Sequence, residues 1–178
     1  MANTTFSGPV RSKNGFINTG PGAVKALTLA TDLTVADHAG RLITMDPAGT
    51  PTAITIPSII STADAAVAGA NDPNNASTIG TTFEILFIDN FTGTIKTANT
   101  ADKFVGAVTL GITASTAGKQ FQVATNNNEV NLNGEAGTAT TGGLKGSIIK
   151  FTAIAANLYA VEGQLLAAGV LATPLDNQ

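Results

Sequence analysis

The stretch TTFEILFIDNFTGTIKTA, residues 81–98, decides the fold class. Phe83, Ile85 and Phe87 recur at every second position, with Glu84 and Leu86 between them. That period puts the first three side chains on one face of a strand and the other two on the opposite face. Asn90 to Gly93 reads as a turn, since Asn and Gly tolerate backbone conformations that other residues resist. TIKTA, 94–98, then reads as the returning strand of a hairpin.

The same grammar extends in both directions. Upstream, VKALTLATDLTV (24–35) has Leu27, Leu29, Leu33 and Val35 at even separations, ADHAG (36–40) is a turn, and RLITM (41–45) is strand-like. DPAGTP (46–51) is a turn signal, and TAITIPS (52–58) places Ile54 and Ile56 on one face before Pro57 closes the strand. Downstream, KFVGAVTLGI (103–112) reads as a buried strand with Gly106 and Gly111 at bulges or bends. KQFQVAT (119–125) and EVNLN (129–133) read as a hairpin around the turn Asn126–Asn128. GEAGTATTGGLKG (134–146) reads as flexible. SIIKFTAI (147–154) and LYAVEGQLLAAG (158–169) form a last hairpin, and Pro174 discourages regular structure in the tail. Residues 59–80 differ in kind: an Ala-rich front suited to a short helix, then the loop NDPNNAS. About ten short strands with turns between them imply an all-β domain, a β-sandwich or jelly roll. No exact internal repeat is visible, which argues against a solenoid.

Composition fits that class. Of 178 residues, 43% are hydrophobic and only 12% charged, about half the usual share, so neither a coiled coil nor a charged disordered polymer is indicated. One domain of this length buries a stable core without metal or disulfides. The net charge of −3 offers no basic patch for phosphates, so no nucleic-acid partner is expected. No apolar run approaches a membrane span, and no membrane partner is expected. The start lacks the basic-then-apolar pattern of a signal peptide, an expectation of synthesis in a cytoplasm.

Chemistry finds little to use. With no cysteine, thiolate metal sites and thiol nucleophiles are excluded. His38, the single histidine, lies beside Asp37 in a turn with no nucleophile motif framing it, and reads as a solvated turn residue. Asp32, Asp37, Asp46, Asp64, Asp72 and Asp89 fall mostly at turns, where Asp caps backbone, and the chain has no Trp to platform a sugar. Oxygen-rich stretches at 71–77 and 126–135 lack EF-hand spacing and read as Asn-rich turns. No phosphate-binding glycine loop occurs among the 19 glycines. No enzyme, cofactor or metal is expected.

The first 22 residues, MANTTFSGPVRSKNGFINTGPG, have no usable period. Phe6, Val10, Phe16 and Ile17 are spaced too irregularly for a helix or strand face, and Arg11 and Lys13 sit among them. Three of the nine basic residues (Arg11, Lys13, Lys25) fall in the first 25 positions, which suits an arm lying on an acidic protein surface. The expected organisation is an extended arm over 1–22 and a single β domain over 23–178, with the insertion at about 59–80.

TTFSGPVRSKNGF in that arm resembles the opening of small virion proteins from tailed bacteriophages, particularly those of marine bacteria and cyanobacteria. LTVADHAGRLITMDPAGTPTAITIPS and the late ANLYAVEG are similar to the strand–turn pattern and closing hairpin of the same proteins, with Leu158 where Trp is more usual. The resemblance covers most of the chain in pattern and is specific in residues only at the opening. It implies a non-enzymatic virion component: a capsid decoration (cement) protein, homotrimeric, bound to the major capsid protein on the outer shell. Phe6, Val10, Arg11, Lys13, Phe16 and Ile17 are then the expected partner-contacting residues. A head-fibre or tail-fibre module and a carbohydrate-binding virion module are the alternatives.

Overall fold

A computed structural model describes residues 21–47, 52–61, 78–113 and 117–178. Residues 1–20, with all six expected arm contacts, and 62–77, most of the expected insertion, lie outside the described residues. Among the described residues, twelve strands form two sheets. They are β1 (Val24–Leu27), β2 (Thr31–Asp32), β3 (Leu42–Met45), β4 (Thr52–Ile56), β5 (Thr82–Phe87) and β6 (Gly93–Thr97), followed by β7 (Lys103–Ile112), β8 (Gly118–Gln122), β9 (Glu129–Leu132), β10 (Ile148–Ala155), β11 (Leu158–Ala167) and β12 (Leu175–Asp176). The larger sheet runs β1-β3-β5-β10-β11-β7-β8 and the smaller β12-β9-β6-β4-β2.

The first six strands alternate between the sheets. Each passage crosses the core and returns one strand further along, so β1, β3 and β5 stack in parallel in one sheet and β2, β4 and β6 in the other. Parallel neighbours need a long return path, and here the opposite sheet supplies it in place of a covering helix. This three-turn coil corrects two expectations. A jelly roll is antiparallel throughout, whereas five of the ten pairings among the described strands are parallel. A solenoid-like passage is also present without any repeat in the sequence. Eighteen residues separate Val24 from its register partner Leu42, but forty-two separate Leu42 from Glu84, so no fixed period exists to detect.

The expected hairpin of 81–98 does not form. β5 pairs with β3 and β10, and β6 lies in the other sheet beside β4 and β9. The intervening Asn90–Gly93 carries the chain across the core, and Phe91 stacks on Phe87 at 4.9 Å between centroids. VKALTLATDLTV likewise divides into β1 and β2, with Leu27 and Leu33 buried and Leu29 at 63% exposure where the chain changes sheets. β8 and β9 also belong to different sheets. The Asn turn between them is no hairpin, and Asn127 and Asn128 are buried. The β10–β11 hairpin forms as expected, turning at Asn157 with φ 57°. It inserts between β5 and β7, joining the coil to the outer strands.

One cluster of buried apolar side chains fills the space between the sheets. Ile43, Met45, Phe83, Ile85, Phe87 and Phe151 contribute from the larger sheet, and Ile54, Ile56, Ile95 and Val130 from the smaller. Each fully buried side chain of this size contributes roughly 1.5–3 kcal/mol. The glycine-rich 134–146 stretch, expected to be flexible, is packed. Ala139 and Leu144 are buried, Phe91 N–H donates to the Gly143 carbonyl at 2.7 Å, and Leu144 N–H to the Leu166 carbonyl at 3.2 Å. Gly143 has φ +95°, and a Cβ there would strike the Phe91 carbonyl. Glycine is required for this close approach. The tail also keeps some order, since β12 pairs with β9 just after Pro174.

Candidate functional site

His38 is buried at 5% exposure, which corrects its reading as a solvated turn residue. It ends one helical turn, Val35–His38, whose N-cap Thr34 accepts a hydrogen bond from Asp37 N–H. Its Nδ1 accepts from Thr34 N–H at 3.0 Å, so the ring proton resides on Nε2, which has no partner among the described atoms. Burial and the Lys25 ammonium both hold its pKa below the usual 6.5. Asp37 bonds the Thr34 hydroxyl at 3.2 Å, so its carboxylate serves the cap. The pair is built to close a turn over the sheet edge.

A second polar cluster closes one end of the domain. Asp102 is fully buried, with Oδ2 accepting from Ile59 N–H at 3.2 Å and Oδ1 unpartnered among the described atoms. Burial pushes its carboxyl above the usual range, and the Ile59 N–H offsets part of that. The Tyr159 hydroxyl donates to the Pro57 carbonyl at 2.7 Å, and burial, then the Asp102 charge, raise the phenol's pKa. Nearby, Asn128 Oδ1 accepts from Gln178 N–H, and the Gln178 side chain donates to the Thr97 carbonyl at 2.8 Å. Asn127 Oδ1 accepts from Ala124 N–H, and Asn133 Oδ1 from Glu135 N–H, so with Asn128 three of the amide oxygens of the 126–135 stretch are engaged with backbone. Thr78 and Ile60 bond each other twice, Thr78 N–H to the Ile60 carbonyl and Ile60 N–H to the Thr78 hydroxyl, pinning together the two ends of the 59–80 segment. These groups tie strand ends and loops into one body. No cluster of three metal-ligating side chains occurs among the described residues.

The outward faces of the two sheets differ in chemistry. On the smaller sheet, register aligns Asp32, Thr55, Lys96, Glu129 and Asp176 in one row and Ala53, Thr94 and Asn131 in the next. That face is polar and suited to water. On the larger sheet, one row reads Val24, Leu42, Glu84, Lys150, Glu162, Ala107 and Gln122. The next reads Thr44, Leu86, Ile148, Gln164, Thr109 and Gln120, and a third Thr82, Thr152, Ala160 and Val105, so apolar and uncharged polar side chains are mixed. Val24, Val105 and Ile154 are 43 to 45% exposed. Charge gathers at the centre, with Lys103 at one end of the face: Lys150 Nζ lies 2.9 Å from Glu162 Oε1, which raises the lysine pKa, with Glu84 on its other side. A shallow depression of about 460 Å³ lies over this centre, lined by Glu84, Lys150, Glu162, Thr109 and Gln120 among others. This face is the candidate interaction site.

This face was not among the sequence-expected sites, although it left a signal. Leu86 between Ile85 and Phe87, and Ile148 beside Ile149, put apolar side chains on both faces of their strands. A strand facing water on one side is expected to alternate with polar residues. What could not be seen was the register that sets those strands side by side. No protein-family model, curated protein or solved structure matches the chain.

Proposed function

We propose that this chain is a bacteriophage capsid decoration protein, made in the host cytoplasm and carried on the outer surface of the shell as a homotrimer. It binds the major capsid protein and stabilises the shell by contact rather than catalysis. The observation that carries this reading is the contrast between the two outward faces: one lined by charged and polar side chains, the other setting Val24, Leu42, Leu86, Ile148 and Val105 among polar ones around a charged centre. Single exposed apolar residues are ordinary, but the adjacent pairs Val24–Leu42 and Leu86–Ile148 on one sheet face favour an interaction surface. The polar ties at Asp102, Asn128 and Gln178 and the packed 134–146 strap make the domain a rigid carrier for that surface. The resemblance of the opening to phage virion proteins supplies the class of partner, and the opening segment, expected from the sequence to be an arm, supplies further contact.

Deleting residues 2–22 is expected to abolish co-sedimentation with capsids while leaving the circular dichroism and thermal transition of the domain intact. Unchanged capsid binding by the truncated protein would contradict the arm's role.

A further inference from the structure

We infer that the outward face of the seven-stranded sheet receives the amino-terminal segment, residues 1–20, of a neighbouring copy. The inference rests on the decoration reading and names the contact that would hold its copies together.

Charge and apolar content match on the two sides. The face carries Val24, Leu42, Leu86, Ile148 and Val105 among Thr and Gln side chains, around a centre with two carboxylates and one ammonium and with Lys103 at one end. Lys150 is bonded to Glu162 and meets Glu84 only at longer range, which leaves Glu84 as the carboxylate of that row without a contact ion pair among the described residues. The segment carries Phe6, Val10, Phe16 and Ile17, with Arg11 and Lys13, and no acid at all. Its apolar side chains suit the flanks of the face, and Arg11 suits the spare carboxylate.

Geometry permits the exchange. The segment joins the domain at β1, an outermost strand, and Val24 begins the very row that holds Glu84, Lys150 and Glu162. Strands lie about 4.8 Å apart, so Val24 to Glu84 spans only two steps, about 10 Å. The thirteen residues from Arg11 to Val24 reach up to about 43 Å when extended. That length exceeds what the copy's own face needs and is enough to cross to a neighbour. A tie within one copy would link nothing. A tie from segment to neighbouring face is heterologous, and a heterologous contact that closes after three steps is the ring a trimer requires.

The experiment uses the full chain and three variants: Arg11→Glu, Glu84→Lys and the two combined. Sedimentation velocity at low salt reads the oligomer, and circular dichroism verifies the fold, with Glu84→Gln as a milder second variant on the face. The expected result is a trimer for the parent and association weakened by about tenfold in each charge reversal, with recovery to within about threefold in the combined variant. Carbodiimide coupling of a mixture of light and heavy-isotope copies should then join Lys13 of one copy to Glu84 of another. Association unaltered by any variant would overturn the inference. So would couplings confined to single copies, which place the segment on its own sheet. Loss of capsid binding by Glu84→Lys with the trimer intact would also overturn it, since the face would then be a shell contact. Trimers that obey the charge swap but bind no capsid would remove the decoration reading and leave the exchange standing.

Discussion

His38 is neutral in the folded protein because its ring is buried near Lys25 and Arg41, with Asp37 only partly compensating. Its folded pKa lies below the unfolded value of 6.5, so the unfolded chain binds the proton first as the pH drops. The stability it contributes is complete above 6.5 and falls away as the pH moves from there down through the lowered folded value. The urea midpoint of the parent should therefore decline between pH 7 and pH 5 more than that of His38→Gln, whose side chain can still accept from Thr34 N–H. Equal declines would show that the ring does not resist protonation. The same residue shows where sequence reading stops. Its neighbours Asp37 and Gly40 signal a turn correctly, but the burial of the His38 ring goes with a turn tied by Gly40 N–H to the Thr82 carbonyl, beside a strand forty-two positions away.

Strands were legible where alternation is strong. β4, β5, β10 and β11 lie where Ile54, Phe83, Phe151 and Tyr159 said they would, because a side-chain period of two is a local property. Pairing was not legible, since alternation says which side chains point inward but not which sheet the strand joins. Thus TIKTA looked like the return of a hairpin from 81–89, and it is β6 of the opposite sheet. Gly106 shows the limit from the other direction. A bulge or bend was expected there, and the structure gives it φ +121°, with any Cβ directed at the Val161 carbonyl of β11. Gly111, equally suspect by sequence, has nothing nearer its Cβ position than Leu166 Cδ2 at 3.9 Å. Gly106→Ala should lower unfolding free energy by at least about 2 kcal/mol through strain and lost β7–β11 pairing. Gly111→Ala should stay within about 0.5 kcal/mol. Urea titration of the two variants side by side checks both. The β7–β11 register runs unbroken through Gly106, so what sets it apart is its close approach to Val161 and not a bulge, and equal losses would contradict that close approach.

Taken whole, the molecule is a coil of six alternating strands, later completed by a hairpin set into the middle of the larger sheet. β7, the partner of β11, precedes it by more than fifty residues, so half of the central pairing waits for the end of the chain. Such topology is slow to form and hard to read, because its contacts are remote in sequence. The candidate face depends on the same remote register: Glu84, Lys150 and Glu162 become neighbours only when β5, β10 and β11 align. From the sequence came the β class and the basic, apolar opening, and from the fold came a surface with the opposite charge balance. Together they are the grounds on which the decoration role is proposed. The most direct test of that account is the copy number in purified virions, measured by quantitative mass spectrometry against the major capsid protein. The account predicts a number comparable to that of the shell protein. A number far below it would contradict decoration and assign the protein to a vertex, fibre or tail.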